Sequence, residues 1–412
     1  MKNKPVGAGR KLWARMRQVS WYWYVIGVWL AVLAGLYGYH LATAVTPNRV
    51  AFSFGGGFDV YWYGLCIVGG IALGAFVVAD LALRRGTAVF QEHVPAAIRA
   101  RSLADLALPE EIHQILSKNK LNTLGDLLLI WGFNPRNTTL NAAGIEIVQA
   151  KLDNQTDLEK SWLSETPWRI WNPDHVWNGL IWCLILAVIG ARLYHVLTPS
   201  PSMAAFGINS PMDYFRNPYQ LINLRNGGLG IYGGILGGLV GLAIYSRRAR
   251  IPLLGWADLA VVGLALGQVF GRWGNFFNQE LYGRPTNLPW AVTIDPIYRL
   301  PDYSQFTRFH PAFLYESLWS LLTFIILYTL IRRYNHKVLI GDVMALYFIF
   351  YATGRILLEL VRLDSRMVNL GFVQLNMAIA TFISLLIALG MAAWIIGRHY
   401  RAAKTKTPAA VS

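Results

Sequence analysis

Charged side chains recur inside the apolar stretches of this sequence, where they are costly. Each ionisable group within a membrane span costs about 2.5–3.5 kcal/mol on insertion scales, and such groups usually face a cavity or one another. The charged residues concerned are Arg192, Arg272, Glu280, Glu316, Arg355, Glu359 and Arg362. Because arginines outnumber carboxylates in this set, we expect an anionic ligand, and a guanidinium group matches phosphate with two parallel hydrogen bonds. The alternative is a set of ion pairs between helices that only fixes their packing.

Two groups of these polar residues repeat with the period of a helix. Tyr351, Arg355, Glu359 and Arg362 are spaced so that they share one helical stripe. A second stripe consists of Arg272, Asn275 and Gln279. We therefore expect two helices to present these groups to a common site.

Three local motifs add to the stripes. The segment GRWGNFFNQELYG, residues 271–283, places Arg272, Asn275, Asn278 and Glu280 at a helix end punctuated by glycine, where a backbone can approach a ligand closely. The segment HPAFLYE, residues 310–316, predicts a helix start that carries Tyr315 and Glu316 side by side. The third motif is Trp62-Tyr63-Gly64, at the start of an apolar run.

The elements that must position these residues are membrane spans. Of the 412 residues, 55% are hydrophobic and 14% are charged, whereas soluble domains carry about 25% charged residues. A spanning helix needs about 20 mostly apolar residues, which predicts an all-α polytopic transmembrane helix bundle. The eight predicted spans are Trp21–His40, Val60–Leu83, Val176–Leu197, Gly228–Tyr245, Trp256–Phe277, Ala312–Ile331, Val343–Leu363 and Phe372–Ile396.

The distribution of basic residues predicts the orientation of these spans. Basic clusters precede the first span and follow spans two, four, six and eight, and such clusters mark cytoplasmic ends. We therefore expect both termini in the cytoplasm and the charged residues in the outer half of the membrane. The N-terminus also has features of a signal peptide, but its long apolar run favours an uncleaved anchor. Asp258, near an inner span end, is expected to snorkel or to cap a helix.

The predicted domains follow from this pattern. Residues 1–59 form the basic N-terminus and first span, residues 60–85 and 173–400 form the membrane core, and residues 401–412 form a disordered basic tail. Residues 86–172 are polar and predict an inserted cytoplasmic helical domain, in which Thr123 is a candidate N-cap. With its NTLGDLL segment this insert resembles the helix-hairpin-helix modules of the RNA polymerase alpha subunit. The alternative is an ordinary packing or partner-binding insert, and we expect no nucleic acid as partner.

The motifs together resemble the prolipoprotein diacylglyceryl transferase family. GRWGNFFNQELYG is similar to that family's signature, and HPAFLYE, WYG, NGGLGIYGG and YATGRILLELVR follow in the matching order over residues 60–85 and 174–400. The resemblance implies transfer of a diacylglyceryl group from phosphatidylglycerol to the lipobox cysteine of a prolipoprotein signal peptide, in a bacterial plasma membrane. It implies no cofactor, and no cluster of residues with metal-ligand spacing is found in the sequence.

The charge pattern and the resemblance together predict roles for individual residues. The predicted catalytic residues are Arg272, Tyr232, Tyr351, Glu280 and Arg355. The predicted substrate-binding residues are Tyr63, Asn275, Asn278, Gly283, Glu359, Arg362, Arg192 and Tyr315.

One position departs from the family. The family often has His before the Gly-Gly pair, as a candidate base, and this chain has Tyr232 there. Tyrosine, with a pKa near 10, is a poor base at neutral pH, so Glu280, Glu359 and Tyr351 remain candidates for the base. The departure favours the alternative function, a non-catalytic lipid-binding or scaffolding relative. A transporter is disfavoured, because no internal symmetry is evident and the charges lie away from the midplane.

Overall fold

The protein is described by a computed structural model that covers residues 20–54, 58–199, 201–223, 228–334, 338–363, 367–369 and 374–406. The basic N-terminal residues 1–19 and the tail residues 407–412 lie outside the described residues. Within these ranges the regular structure is almost entirely helical, and the strands form three two-stranded antiparallel hairpins. The predicted all-α class is therefore confirmed.

Long helices succeed one another along the chain, with short helices and strands between them. The helices are α1 (Trp21–Thr43), α2 (Trp62–His93), α3 (Ala96–Arg99), α4 (Glu110–Lys118), α5 (Leu124–Phe133), α6 (Ala142–Asp153), α7 (Asp174–Leu197), α8 (Pro211–Arg216), α9 (Tyr219–Ile222), α10 (Ile231–Ala249), α11 (Leu253–Gly271), α12 (Trp273–Asn278), α13 (Ala312–Arg333), α14 (Asp342–Glu359) and α15 (Ile379–Lys406). The strands are β1 (Val50–Phe54), β2 (Phe58–Tyr61), β3 (Val292–Thr293), β4 (Arg308–Phe309), β5 (Met367–Asn369) and β6 (Gln374–Ala378).

Six of the described helical segments are long and apolar enough to cross a membrane, so the polytopic architecture is confirmed. They are α1, α2, α7, α11 together with α12, α13 and α15. The other two predicted spans form α10, of 19 residues, and α14, of 18 residues. At a rise of 1.5 Å per residue each is somewhat under 30 Å long, close to the thickness of the hydrocarbon core. Their basic or acidic residues make them less apolar than the six.

The first of two compact units contains residues 1–77 and 258–412. In it, glycines let the start of α2 lie against α11: a Cβ on Gly70 would be 2.9 Å from the carbonyl oxygen of Gly267, and one on Gly74 would be 2.5 Å from that of Gly263. Asp258 accepts hydrogen bonds from the backbone N–H groups of Gly341 (2.6 Å) and Met344 (2.9 Å). It therefore caps the start of α14, as expected, and fixes the helix that carries Arg355.

The second compact unit contains residues 78–257. The segment that was predicted as an insert has its own apolar core, in which Leu124, Trp131 and Trp168 are fully buried. Thr123 begins α5 with a capping box, because its side chain accepts from the Asp126 N–H and Asp126 accepts from the Thr123 N–H in return. The predicted N-cap at Thr123 is therefore confirmed.

The chain end differs from the predicted disordered tail. Residues 401–406 are the last part of helix α15, which ends at Lys406. Basic residues are favourable in the last turns of a helix, where they complement its dipole. The Lys404 ammonium also lies 4.7 Å from the centre of the Tyr400 ring. These interactions explain why basic composition at this end does not exclude a helix.

A substitution at the α2–α11 contact tests the packing of the first unit. We expect Gly74→Val to lower the melting midpoint of the detergent-purified protein. The valine side chain would collide with the backbone of Gly263, which cannot move aside. Overpacking of this kind costs about 1–3 kcal/mol of stability. The matched control is Gly38→Val in α1, since no described atom lies within 4 Å of a Cβ at Gly38. Equal melting midpoints for the two variants would contradict the close contact.

Candidate active site

A cavity of about 280 Å³ opens in the first unit among α11, α13 and α14. Its polar lining includes Arg272, Tyr315, Glu316, Tyr351 and Arg355. Two of these residues, Arg272 and Arg355, come from separate helical segments and share the cavity. Three of the seven charged residues singled out in the sequence, Arg272, Glu316 and Arg355, therefore line this cavity. The other four do not: Arg192, Glu280, Glu359 and Arg362.

The arginines of this cavity are paired with carboxylates. Arg272 Nε lies 2.6 Å from Glu316 Oε2, and Arg355 Nη1 lies 3.2 Å from Glu359 Oε2, one helical turn further along α14. The charges of Arg355 and Arg362 also act on the Glu316 carboxylate. Counted together with Glu359, this group contains three arginines and two glutamates, so it carries one more positive charge than negative charges.

The Arg355–Glu359 pair is close but poorly aligned. Arg355 Nη1 and Glu359 Oε2 are both buried, and neither has a hydrogen-bond partner of good geometry among the described residues. A buried donor without an acceptor costs about 1–3 kcal/mol, more when it is charged. A ligand oxygen that reached Nη1 would remove this cost, so the guanidinium group is poised for an anionic ligand.

Aromatic side chains form one wall of the cavity. Tyr351 is 41% exposed, which leaves its ring accessible, and it stacks on Tyr347 with 6.2 Å between ring centres. Tyr347 is buried and accepts a hydrogen bond from Gln268 Nε2 at 2.9 Å. Trp319 donates to the Phe350 carbonyl oxygen at 2.8 Å, which joins α13 to α14. The wall is therefore held by packing and hydrogen bonds before any ligand binds.

The segment GRWGNFFNQELYG, residues 271–283, forms the end of a helix beside the cavity. Arg272 lies between α11 and α12, and Gln279 ends α12 with a positive φ of 54°. Glu280 Oε1 accepts hydrogen bonds from Asn275 Nδ2 (2.9 Å) and Asn278 Nδ2 (3.2 Å). The Tyr63 ring lies directly over Gly274, where a Cβ would collide with it. Tyr63, Asn275, Asn278 and Glu280 are thus close together, although none of the four lines the cavity.

Gly283 and Arg362 meet in the loop that follows. The Gly283 N–H donates to the His310 carbonyl oxygen at 2.9 Å, and Gly283 pairs with Arg362 in an isolated β-bridge. A Cβ at Gly283 would be 2.7 Å from the Val361 carbonyl oxygen. The structure therefore gives Gly283 a packing role, which explains its residue type without a contact to substrate.

Tyr315 belongs to a small hydrogen-bonded group. Its hydroxyl accepts from Trp290 Nε1 at 3.1 Å and lies 3.0 Å from His310 Nδ1. Burial lowers the pKa of His310. A neutral imidazole ring, which accepts a hydrogen bond from the Tyr315 hydroxyl, is therefore favoured at pH 7. These bonds fix Tyr315 at the edge of the cavity.

Two predicted site residues lie in the second unit. Tyr232 is in the first turn of α10, and its side chain lies outside the described residues. Arg192 is only 8% exposed and donates to the backbone carbonyl oxygens of Leu221 (2.9 Å), Asn223 (3.1 Å) and Gly228 (2.8 Å), and to that of Gln220. Arg192 thus clamps the loop around α9, and its contact with substrate stays a prediction.

Sequence reasoning missed Glu316 as a site residue. Its carboxylate lines the cavity and pairs with Arg272, which precedes it by 44 residues. Glu316 was in the set of charged residues expected near one another, but nothing in the sequence specified that it pairs with Arg272 or gave it a role in the site. Gln268, Tyr347 and Trp319 were missed as well, because uncharged residues in apolar helices give no such signal. Among the described residues, no group of three His, Cys, Asp or Glu side chains is arranged to hold a metal ion.

The clamp formed by Arg192 can be tested by hydrogen exchange. We expect Arg192→Lys to speed amide exchange at residues 220–223 about tenfold or more, because lysine lacks the planar fork of donors that reaches several carbonyl oxygens. The control is Arg216→Lys in the same loop, since Arg216 is 76% exposed and pairs only with Asp213 among the described residues. Unchanged exchange in Arg192→Lys would show that other contacts hold the loop.

Comparison with known proteins identifies the family to which the chain belongs. The family model described as prolipoprotein diacylglyceryl transferase matches residues 155–396; residues 60–85 fall outside that range. The chain is similar to the phosphatidylglycerol–prolipoprotein diacylglyceryl transferase of Chloroflexus aggregans, with 42% identity over 49% of this chain and 67% of the relative. It is 39% identical to the enzyme of the same name from Nostoc sp., over 55% of this chain and 76% of the relative. Fervidobacterium nodosum has a relative of that name with 37% identity over 55% of this chain and 72% of the relative. The resemblance noted in the sequence is confirmed, and the chain belongs to the prolipoprotein diacylglyceryl transferase family.

Proposed function

We propose that this chain transfers the diacylglyceryl group of phosphatidylglycerol to a cysteine thiol of a prolipoprotein, as its relatives are named to do. The observation that carries the proposal is the placement of Arg272 and Arg355 on one cavity in a membrane protein. A phosphate diester is the part of the donor lipid that such a pair of guanidinium groups recognises. The enzyme is accordingly a transferase.

The reaction sets the demands on the cavity. A bond forms between the thiol sulfur and the terminal glyceryl carbon of the lipid, and the bond from that carbon to the phosphate oxygen breaks. Glycerol phosphate leaves with the bonding electrons, and the thiol proton goes to a base. Because negative charge builds up on the leaving phosphate, fixed positive groups in a site shielded from water lower the barrier.

Arg355 and Arg272 fit the phosphate differently. Arg355 Nη1 is buried and has no well-aligned acceptor among the described residues, so it gains a hydrogen bond when a phosphate oxygen arrives. Arg272 is paired with Glu316 at 2.6 Å and supplies charge while it keeps that carboxylate in place. Tyr351, exposed at the same cavity, can donate its hydroxyl proton to the leaving oxygen in a hydrogen bond.

Glu316 is the best placed acceptor for the thiol proton. It is the carboxylate that lines the cavity among the described residues, whereas Glu280 and Glu359 do not line it. Glu280 Oε1 in addition already accepts hydrogen bonds from Asn275 and Asn278. The positive charges around Glu316 also stabilise a thiolate next to it.

The location of the reaction follows from the charge pattern of the sequence. Basic clusters at alternate span ends favour cytoplasmic termini, and the cavity then faces the outer leaflet of a bacterial plasma membrane. The donor lipid would arrive laterally from the bilayer. The acceptor would be the lipobox cysteine of a signal peptide, which is held at the same membrane surface.

The second candidate function is a non-catalytic relative that binds lipid or serves as a scaffold. Tyr232, in place of the histidine that the family often has, is the feature that favours it. Such a relative would bind phosphatidylglycerol and release no glycerol phosphate, so an assay of the transfer reaction separates the two functions.

A direct assay tests the transfer and the role of Arg355. Purified protein, phosphatidylglycerol vesicles and a synthetic lipobox peptide are expected to yield a peptide with a thioether-linked diacylglyceryl group, measured by mass spectrometry. We expect Arg355→Lys to lower kcat/KM about 100-fold or more, because lysine keeps the charge but loses the planar donor geometry.

The matched control for Arg355→Lys is Arg333→Lys, an exposed position at the end of α13. No product from folded, lipid-loaded wild-type protein would leave the non-catalytic relative as the function. Wild-type activity in Arg355→Lys would instead remove this arginine from the mechanism while the transfer itself stood.

The base is tested through the pH dependence of the rate. We expect Glu316→Gln to lower kcat at least 100-fold, a loss typical of a missing general base, and Glu316→Asp to retain the acid limb of the pH–rate profile. The comparison is Glu359→Gln. If Glu359→Gln abolished the acid limb and Glu316→Gln preserved it, the proton would go to Glu359.

A further inference from the structure

A second cavity, of about 350 Å³, lies in the first unit and has a different character. Its walls come from loops and helix ends: Arg49 before β1, the segment from Asn278 to Tyr282, Tyr298 with Leu300, and Leu363 after α14. Apart from Asn278, the last residue of its span, these residues lie outside the helices that could cross a membrane. The cavity is therefore formed mainly by loops that connect these helices.

The walls of the second cavity are tied together. Tyr282 is 9% exposed; its hydroxyl donates to the Tyr298 carbonyl oxygen at 3.0 Å and accepts from the Leu300 N–H at 2.7 Å. Burial raises the pKa of Tyr282, so its hydroxyl keeps the proton that it donates. The Gln279 side chain donates to Asp295 Oδ2 and accepts from the Asp295 N–H, both at 2.7 Å. A site that is already ordered loses little entropy when it binds a ligand.

The chemistry of this lining differs from that of the arginine cavity. Among the described residues it holds one cation, Arg49, whose guanidinium carbon lies 5.2 Å from the centre of the Tyr298 ring, and one exposed carboxylate, Glu280. The remaining lining combines amide and tyrosine groups with Leu281, Leu300 and Leu363. Because Arg49 and Glu280 balance each other, the cavity does not favour a phosphodiester, which carries negative charge. Its amide and tyrosine groups can form hydrogen bonds, and its leucines can pack against apolar groups, which suits an uncharged chain of alternating amide donors and acceptors. That description fits a polypeptide.

The two cavities lie near opposite ends of α12. Arg272 precedes this helix and lines the first cavity, while Asn278 ends it and lines the second. Six helical residues rise about 9 Å, a distance that about three residues of extended polypeptide cover at 3.3 Å each. A peptide seated in the second cavity can thus extend a cysteine toward the arginines.

We propose that the second cavity binds the acceptor polypeptide, and that it holds the second to fourth residues after the modified cysteine. The inference rests on the proposed transfer function and names the place where its protein substrate docks. Phosphatidylglycerol and acceptor would then occupy separate cavities, one on each side of α12.

Steady-state kinetics with the full chain test this assignment. In Tyr298→Ala and Leu300→Ala the backbone atoms that bond to Tyr282 remain, so the cavity loses side chains and keeps its frame. We expect KM for the lipobox peptide to rise tenfold or more, while kcat at saturating peptide and KM for phosphatidylglycerol stay within twofold. The matched control is Ile297→Ala, which is 80% exposed and does not line the cavity, and its kinetics are expected to be those of the wild type. An unchanged peptide KM, or a rise in the lipid KM instead, would overturn the assignment.

A binding measurement separates this inference from the function on which it rests. The probe is the lipobox peptide with its cysteine replaced by serine and a benzophenone at the third residue after it, photolysed with wild-type protein in the absence of phosphatidylglycerol. Attachment at residues 278–282 or 298–300 supports the docking site even if no thioether forms with the cysteine peptide. Attachment only elsewhere overturns it even if transfer proceeds, and the result does not depend on whether any variant folds.

Discussion

The pairing of arginine with glutamate in an apolar environment is the interaction on which the rest of this structure depends. An ion pair in such a setting is stable only if geometry and additional hydrogen bonds offset the loss of water, and removing one partner is strongly unfavourable. Arg272 meets this demand with Glu316 at 2.6 Å, whereas Arg355 meets it incompletely with Glu359. The resting site is therefore close to charge balance but retains a buried donor without an acceptor among the described residues. An anion that binds here would accept a hydrogen bond from Arg355 Nη1. The two arginine–glutamate pairs would not need to separate for this bond to form.

The helix ends around the cavity hold these charges in place. Arg272 lies at the junction of α11 and α12, and Tyr315 and Glu316 lie in the first turns of α13 after Pro311, so these helix ends bring polar side chains to the cavity. Close glycine contacts between α2 and α11, and the cap that Asp258 forms on α14, stabilise the helices that carry them.

The sequence predicts the parts of this arrangement that depend on local pattern. Hydropathy predicted the helices, and Tyr351 and Arg355 of the predicted stripe lie on α14 at the cavity. Arg362 of the same stripe does not continue it, because α14 ends at Glu359 and Arg362 pairs with Gly283 in a β-bridge. Capping at Thr123 was also a local property and was predicted. The pairing of Arg272 with Glu316 was not, because it joins residues from different helices and no periodic pattern specifies such a partner. The clamp that Arg192 forms was missed for the same reason, because the carbonyl oxygens that it binds come from a loop whose path the sequence does not reveal.

Transfer from an anionic lipid to a neutral thiol imposes opposite requirements on one protein. The lipid phosphate needs concentrated positive charge, yet the same field would attract every anionic headgroup to any surface meant for the acceptor. Separate cavities resolve this conflict, since Arg272 and Arg355 face one space, while Glu280 balances Arg49 in the other. The described lining of the second cavity therefore has no excess of positive charge to attract phosphate, and an uncharged peptide meets little electrostatic cost there. The segment around α12 has Arg272 before the helix and Asn278 and Glu280 at its end, so its two ends differ in charge as the two proposed substrates do. The helix between them is only as long as about three residues of extended peptide.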